Sequence, residues 1–375
     1  MNIPNISKII RSEFPKIEAN TTVSEIISIF LDGFESVPVF DNEKFHGIVS
    51  INDLIIKDYD AKAKVGNIAR KNIPKCKEDI NFIEAAKLFL NNDIKAVPIF
   101  SGENLTGLLL EKDLIRNSKL ILSEVNKTTK DVANMPDIIS INDTIGKARK
   151  LIRDNKISRI PVIDENRKLV GIVDSTDFLK TINPKNSDKE TIMGDAMPEH
   201  KLSITTIMDK IPLTVENHIP LKDVIELMEK HNKSYVLITS ENEPIGIVTP
   251  KDILEVIASM EEKKGVYVQI AGLDNIENSF DKEKISKMIE DSIQKIGKMF
   301  DNLEYMFVHI KSQKNEGGDR LYSTRARIST PLGLFVSKAS NWNPVGAINE
   351  TLDKLERQII EEREKRVTVE KPRNP

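Results

Sequence analysis

Apolar and polar positions along this chain recur in one order four times over. A run that is apolar at every third or fourth position, the mark of a helix with one buried face, leads into a short strand that is apolar almost throughout. A polar turn, a second apolar strand and a closing helix complete the unit. In the first copy Val23, Ile26, Ile27 and Phe30 mark the helical face, SVPVF at 36–40 is the first strand, DNEKFH the turn and GIVS the start of the second strand. The other copies run through AVPIF from Ala96, RIPVI from Arg159 and SYVLI from Ser234. A β-prone piece opens each copy, so the units alternate β and α. Strands this apolar predict a small sheet buried under helices. Prolines stand at Pro38, Pro98 and Pro161, with Val236 in the equivalent place of the fourth copy. A residue that cannot donate to a ladder belongs at a strand start or edge.

One unit of about 60 residues buries too little surface to be comfortable alone, so the first copy is expected to pair with the second and the third with the fourth. The copies occupy 1–60, 61–122, 123–183 and 202–262, and the polar stretch 184–201 reads as a linker or surface loop. After Met260 the rhythm changes. GVYVQIAGL reads as a strand, DKEKISKMIEDSIQKIGKMF as a helix with Ile285, Met288, Ile289, Ile293 and Ile296 on one face, and LEYMFVHIKS as a second strand. NEGGD is a hairpin turn, RLYSTRARIST a third strand, TPLG a tight turn and LFVSKAS the last strand. The final helix is expected to take Asn343 as its cap and Pro344 as its first residue, with Leu352, Leu355 and Ile359 as its stripe. The order is β-α-β-β-β-α over 265–366, followed by a tail at 367–375. The expected fold class is therefore α/β for the repeats followed by an α+β domain.

Composition narrows the chemistry. Charged residues make up 30% of the 375 and the formal net charge is only -3, so no global field of one sign points to a nucleic acid or a membrane. A polyanion must be met by a local patch. The lone cysteine, Cys76, cannot form an internal disulfide, and no Cys/His spacing resembles a zinc site. No signal-peptide pattern opens the chain and nowhere do 18 apolar residues run together, so a cytoplasmic protein without a membrane partner is expected. The five histidines lie far apart and no Walker-type phosphate loop occurs, so no enzyme and no required cofactor is expected.

The second strand of each copy ends in a related motif: GIVSINDL, GLLLEKDL, GIVDSTDF and GIVTPKDI. A hydroxyl at the start of a helix can bond a phosphate alongside the free N–H groups there, and an aspartate three residues on can accept from ribose hydroxyls. An aspartate in this place also caps the helix, which explains Asp113 and Asp177 in full and stays an open alternative for Asp53 and Asp252.

The motif, together with the preceding VPV strands, resembles the CBS domain, a regulatory module that works in pairs, called Bateman modules, and often binds adenine nucleotides between them. The resemblance covers roughly residues 5 to 260. It implies nucleotide-binding roles for Ser50 and Asp53 in the first repeat and for Thr249 and Asp252 in the fourth. The second repeat has Leu110 in place of the hydroxyl and the third has Asp174, whose charge would repel phosphate. Arg159 is equivalent to a family position whose basic side chain reaches a phosphate in the sister repeat; a solvated surface arginine is the other reading. The expected site therefore groups Arg159 with Thr249 and Asp252 and takes AMP, ADP or ATP as a regulatory ligand.

The C-terminal order and the stretch from RLYSTRARIST to DKLERQI resemble the ribosome hibernation factors, the ribosome-associated inhibitor family, with a double-stranded-RNA-binding-like fold. The resemblance implies lodging on the small ribosomal subunit and stopping translation. Period-two alternation puts Arg325 and Arg327 on one strand face, and Tyr305, Phe307, His309 and Lys311 on the matching face of the neighbouring strand. If helices cover Met306, Val308 and Ile310, the open face carries Arg325, Arg327, Lys311, Tyr305 and Phe307 toward rRNA. The alternative is a reversed sheet with Tyr305 and Phe307 in the core. Together the halves imply an adenine-nucleotide-sensing regulator of ribosomes, homodimeric through its CBS modules. A nucleotide-responsive scaffold whose C-terminal domain binds protein, or itself, is the other reading.

Overall fold

The structure is a computed structural model that describes residues 5–57, 61–155, 157–180, 201–216, 218–260, 266–300, 303, 305–314 and 319–370. The expected linker at 184–201 lies outside the described residues except for its last position, and so does the NEGGD turn except for Asp319. The chain divides into two units, one of Met1–Phe89 and Ile94–Leu254, the other of Leu90–Asp93 and Glu255–Pro375.

In the first unit the four repeats share one local plan. Helix Val23–Leu31 starts at a capping box in which Thr22 and Glu25 satisfy each other's free backbone groups, and it buries Val23, Ile26, Ile27 and Phe30. Strands Ser36–Asp41 and Lys44–Ser50 then pair antiparallel. Their turn is shorter than the DNEKFH read from the sequence: only Asn42 and Glu43 lie between the strands, at φ of 50° and 64°. Two residues with positive φ give a turn whose twist matches that of the strands, so Lys44, Phe45 and His46 join the ladder.

The hairpins of all four repeats break register at the same place, after Val39, Ile99, Val162 and Ile238. Pairing also corrects one alignment. Pro38 faces Ile48, Pro98 faces Leu108 and Pro161 faces Ile172, and in the fourth repeat the residue so placed is Leu237, opposite Ile247, one position beyond Val236. The parallel opening strand Ile17–Glu18 pairs only from Val39 onward, which leaves Pro38 beyond its end.

Repeats pair by exchanging the segments that precede them. Arg11, ahead of the first repeat, bridges Leu108 of the second, and Arg70, ahead of the second, bridges Ile48 of the first. Asn134 and Asp209 do the same for Ile247 and Ile172 in the other pair. A further core, invisible to a repeat-by-repeat reading, joins the first repeat to the third through Ile26, Phe30 and Leu54 on one side and Ile145, Ile152 and Phe178 on the other.

The second unit has the expected order. Strands Tyr267–Ala271, Tyr305–Lys314, Arg320–Thr330 and Gly333–Asn341 form one sheet in sequence order, the first pair parallel and the rest antiparallel. Helix Ser279–Gly297 is capped by Asn278 and buries Ile285, Ile289 and Ile296, while Met288 and Ile293 are only partly covered. The last helix, Pro344–Glu370, begins at Asn343, whose side chain accepts from the Gly346 amide at 3.0 Å, and it runs on past 366 into the stretch expected to be tail. Both helices cover the Met306, Val308 and Ile310 face, as expected. Gly272 ends the first strand at φ 81°, with Ile310 directly beneath it.

Candidate functional site

The motif aspartates stand at the third position of their closing helices and reach back to the helix start. Asp53 accepts from the Ser50 amide at 3.1 Å and from its hydroxyl at 2.6 Å, and Asp252 accepts from both groups of Thr249 at 2.7 Å. Asp177 accepts from the Asp174 amide at 2.8 Å. The cap is thus the reciprocal kind, with the carboxylate three residues inside the helix rather than at its head. The exchanged segments add a second clasp. Arg70 donates to Asp53 at 2.8 Å, Arg11 to Asp113 at 2.5 and 2.7 Å, and Asn134 to Asp252 at 2.6 Å. These bonds tie each pair together and occupy the carboxylates expected to meet ribose.

A cleft of about 410 Å³ opens elsewhere in the first unit. It falls within the roughly 300–1,000 Å³ typical of small-molecule sites. All four repeats contribute to it, yet Ser50, Asp53, Thr249 and Asp252 do not line it. Apart from Asp174 and Asp177 of the third repeat, the motif leaves its lining unspecified: Asn52, Lys112 and Thr176, each immediately before a motif aspartate, and Glu35, Lys95, Ser158 and Ser234, in matching places ahead of the first hairpin strands. That second periodicity was present in the sequence, one residue away from the positions selected.

Arg159 lines this cleft, and its expected partners Thr249 and Asp252 do not. Its Nε is 2.8 Å from Asp174, its Nη2 donates to the Ser234 hydroxyl, and its guanidinium stands 5.9 Å from the Tyr235 ring. The grouping with Thr249 and Asp252 is replaced by one around the third repeat, because Asp174, read as repelling phosphate, is neutralised by the arginine beside it. Lys233 pairs with Asp209 at 2.5 Å and Arg116 with Glu229 at 3.1 Å. Burial lowers the Lys112 pKa, and its ammonium donates to the Gly33 carbonyl at 2.5 Å. Burial also pushes the Tyr235 phenol up to about 12. Five cations and five carboxylates line the cleft, so it is balanced in charge. It can offer acceptors to hydroxyls and cations to a phosphate at once.

In the second unit the expected open face is closed. Arg327 is 1% exposed, Tyr305 2% and Phe307 0%. The register sets Phe307 opposite Arg327 and His309 opposite Arg325, as the alternation predicted, and the Tyr267 ring meets Phe307 edge-on at 5.7 Å while that of Tyr305 lies tilted against it at 5.0 Å. What closes it polar-side is Glu255, ion-paired with Arg327, together with Asp93, 2.7 Å from Lys311, and Asn91, which accepts from Gln269 at 2.7 Å. Tyr305 and Phe307 are buried without the sheet being reversed, a combination neither sequence reading contained.

Burial alone would raise the pKa of Glu255, but the Arg327 guanidinium, with His309 and Arg325, overrides it and holds the carboxyl down at about 2. A depressed carboxyl contributes stability above its ordinary value of 4.5, and that contribution is lost as pH falls toward 2. Between pH 6 and pH 2.5 urea melts of the native chain are expected to lose about 3 kcal/mol from this group, and Glu255→Gln to lose correspondingly less over the same interval. Equal acid sensitivity in the two proteins would assign the loss to other carboxylates.

Elsewhere, burial pushes the Cys76 thiol up to about 11, which removes it as a nucleophile near neutral pH. Among the described residues no cluster could hold a metal ion and no helix is long and apolar enough to cross a membrane.

Residues 6–59, 65–119, 123–184 and 204–259 match the CBS domain model, and 267–374 match the hibernation factor Hib, C-terminal domain. The uncharacterised protein MJ1404 of Methanocaldococcus jannaschii is 27% identical over 361 residues, 92% of this chain and 84% of that protein. MJ1225 of the same organism is 31% identical over 200 residues, 52% of this chain and 70% of that protein. The crystal structure of MJ1225 has a TM-score of 0.58 at 23% identity, over 68% of this chain and all of that one, a likeness of fold.

Proposed function

Because this chain belongs to the CBS-domain family and ends in a hibernation-factor Hib C-terminal domain, we propose that it is an adenine-nucleotide-sensing regulator, without catalysis of its own, whose C-terminal domain binds the small ribosomal subunit and inhibits translation. The observation that carries the sensing half is the four-repeat cleft, where Arg159 and Lys233 offer cations and Asp174, Thr176 and Asp177 offer hydroxyl partners. Its balanced charge favours the ligand with fewest phosphates, so AMP is expected to bind more tightly than ADP and ADP more tightly than ATP, as titration calorimetry on the full chain would measure. Helix Pro250–Ser259 supports a coupling: it starts at the Thr249–Asp252 cap and carries Glu255 to the arginines. The protein works in the cytoplasm as a homodimer through its CBS modules.

The buried arginine face favours a second reading, a nucleotide-responsive scaffold whose C-terminal domain associates with protein or with itself and leaves RNA alone. Co-sedimentation of the full chain with purified small subunits separates the two. A complex that forms at low salt, dissolves at high salt and changes with AMP is expected. Free protein at every salt and nucleotide concentration would leave the scaffold.

A further inference from the structure

On the closed face of the C-terminal sheet one carboxylate is ion-paired with Arg327 and feels the charge of Arg325 as well. Arg325 and Arg327 lie two residues apart on strand Arg320–Thr330 and so project on the same side, about 7 Å apart, a spacing comparable with the step between neighbouring phosphates of a nucleic-acid strand. Glu255 takes Arg327 with one oxygen and lies 3.6 Å from His309 Nε2 with the other. Arg325 is left short: its Nε and Nη2 are buried with no hydrogen-bond partner. Lys311 is matched by Asp93. The face therefore holds a surplus cation, partly exposed as a residue, whose two buried nitrogens make no hydrogen bond.

Such a closure carries its own cost. Desolvating an ion pair consumes much of its Coulomb attraction, and each buried donor left unpaired opposes it further. An anion bringing more than one charged oxygen would satisfy what Glu255 cannot. We propose that Glu255 is an internal stand-in for a phosphate: it holds the arginine face shut, and RNA opens that face by exchanging phosphate for carboxylate at Arg327 while filling the free donors of Arg325. This rests on the RNA-directed reading of the C-terminal domain. It makes that domain self-inhibited, with its affinity set by how readily one carboxylate lets go.

The test labels the full-length protein with phenylglyoxal, which modifies accessible arginines, and measures affinity for purified small subunits and for a short single-stranded RNA. In the native chain without RNA, Arg327 is expected to resist labelling. In Glu255→Gln the buried Arg327 labels rapidly and RNA affinity rises on the order of tenfold. Arg325→Gln keeps the ion pair and removes the surplus charge, so Arg327 labels more slowly than in the native chain and RNA affinity falls by a similar factor. A folded Glu255→Gln that still protects Arg327 overturns the proposal whatever RNA does. If Glu255→Gln unfolds, an Arg325→Gln chain with unchanged labelling of Arg327 overturns it instead. Arginines laid open while RNA binds none of the three proteins would sink the RNA-directed reading.

Discussion

Gly272→Ala is expected to lower the stability of the C-terminal sheet by about 3 kcal/mol, more than any surface change in the chain. Two costs combine there. The backbone stands at φ 81°, a conformation that costs a side-chain-bearing residue about 1–2 kcal/mol. The added methyl would also overlap the Ile310 carbonyl oxygen and stand 2.7 Å from Asn275 Nδ2, which itself donates to that carbonyl at 2.9 Å. Ile310 belongs to the inner strand Tyr305–Lys314 and is 1% exposed, so its backbone has no room to retreat. Hydrogen exchange along that strand would report the loss locally. Gly333→Ala supplies the control, since Gly333 has φ 120° but nothing within 4 Å of the added carbon. If the two variants destabilise the sheet equally, the close approach to Ile310 contributes nothing.

Arg159→Ala is expected to weaken AMP binding on the order of 100-fold, the equivalent of about 3 kcal/mol. The substitution removes a cation from a balanced lining and leaves Asp174 without its partner, facing any phosphate that enters. Arg159→Lys keeps the charge but loses the forked geometry that bonds Asp174 and Ser234 together, so its affinity should fall between the two. Asp252→Ala is expected to change affinity by about twofold at most, because its carboxylate is taken up by Thr249 and Asn134. Calorimetry on the three full-length variants measures all of this. Native affinity in Arg159→Ala, with a large loss in Asp252→Ala, would return the site to the motif residues.

The repeats were legible because each buries its own helix and hairpin: Val23, Ile26, Ile27 and Phe30 mark a face whether or not the partner is known. Pairing followed from size alone. The exchange of segments did not, because Arg11, Arg70, Asn134 and Asp209 share a place in the fold but no common chemistry. The cleft was missed for a related reason. The regularity of the hydroxyl and the aspartate serves the helix start, while Asn52, Lys112 and Thr176 between them vary from repeat to repeat and line the cleft. In the C-terminal sheet, alternation identified which side chains share a face and could not say that Glu255 would close it, since that carboxylate precedes the domain's first strand.

The crossed segments carry an implication for how such chains arise. Asp53, Asp113 and Asp252 are each bonded from the stretch in front of the sister repeat, so a lone copy of any of these three would lack a bond that only duplication supplies. The portable part is the couple, and genes that gained or lost this architecture would have done so two copies at a time.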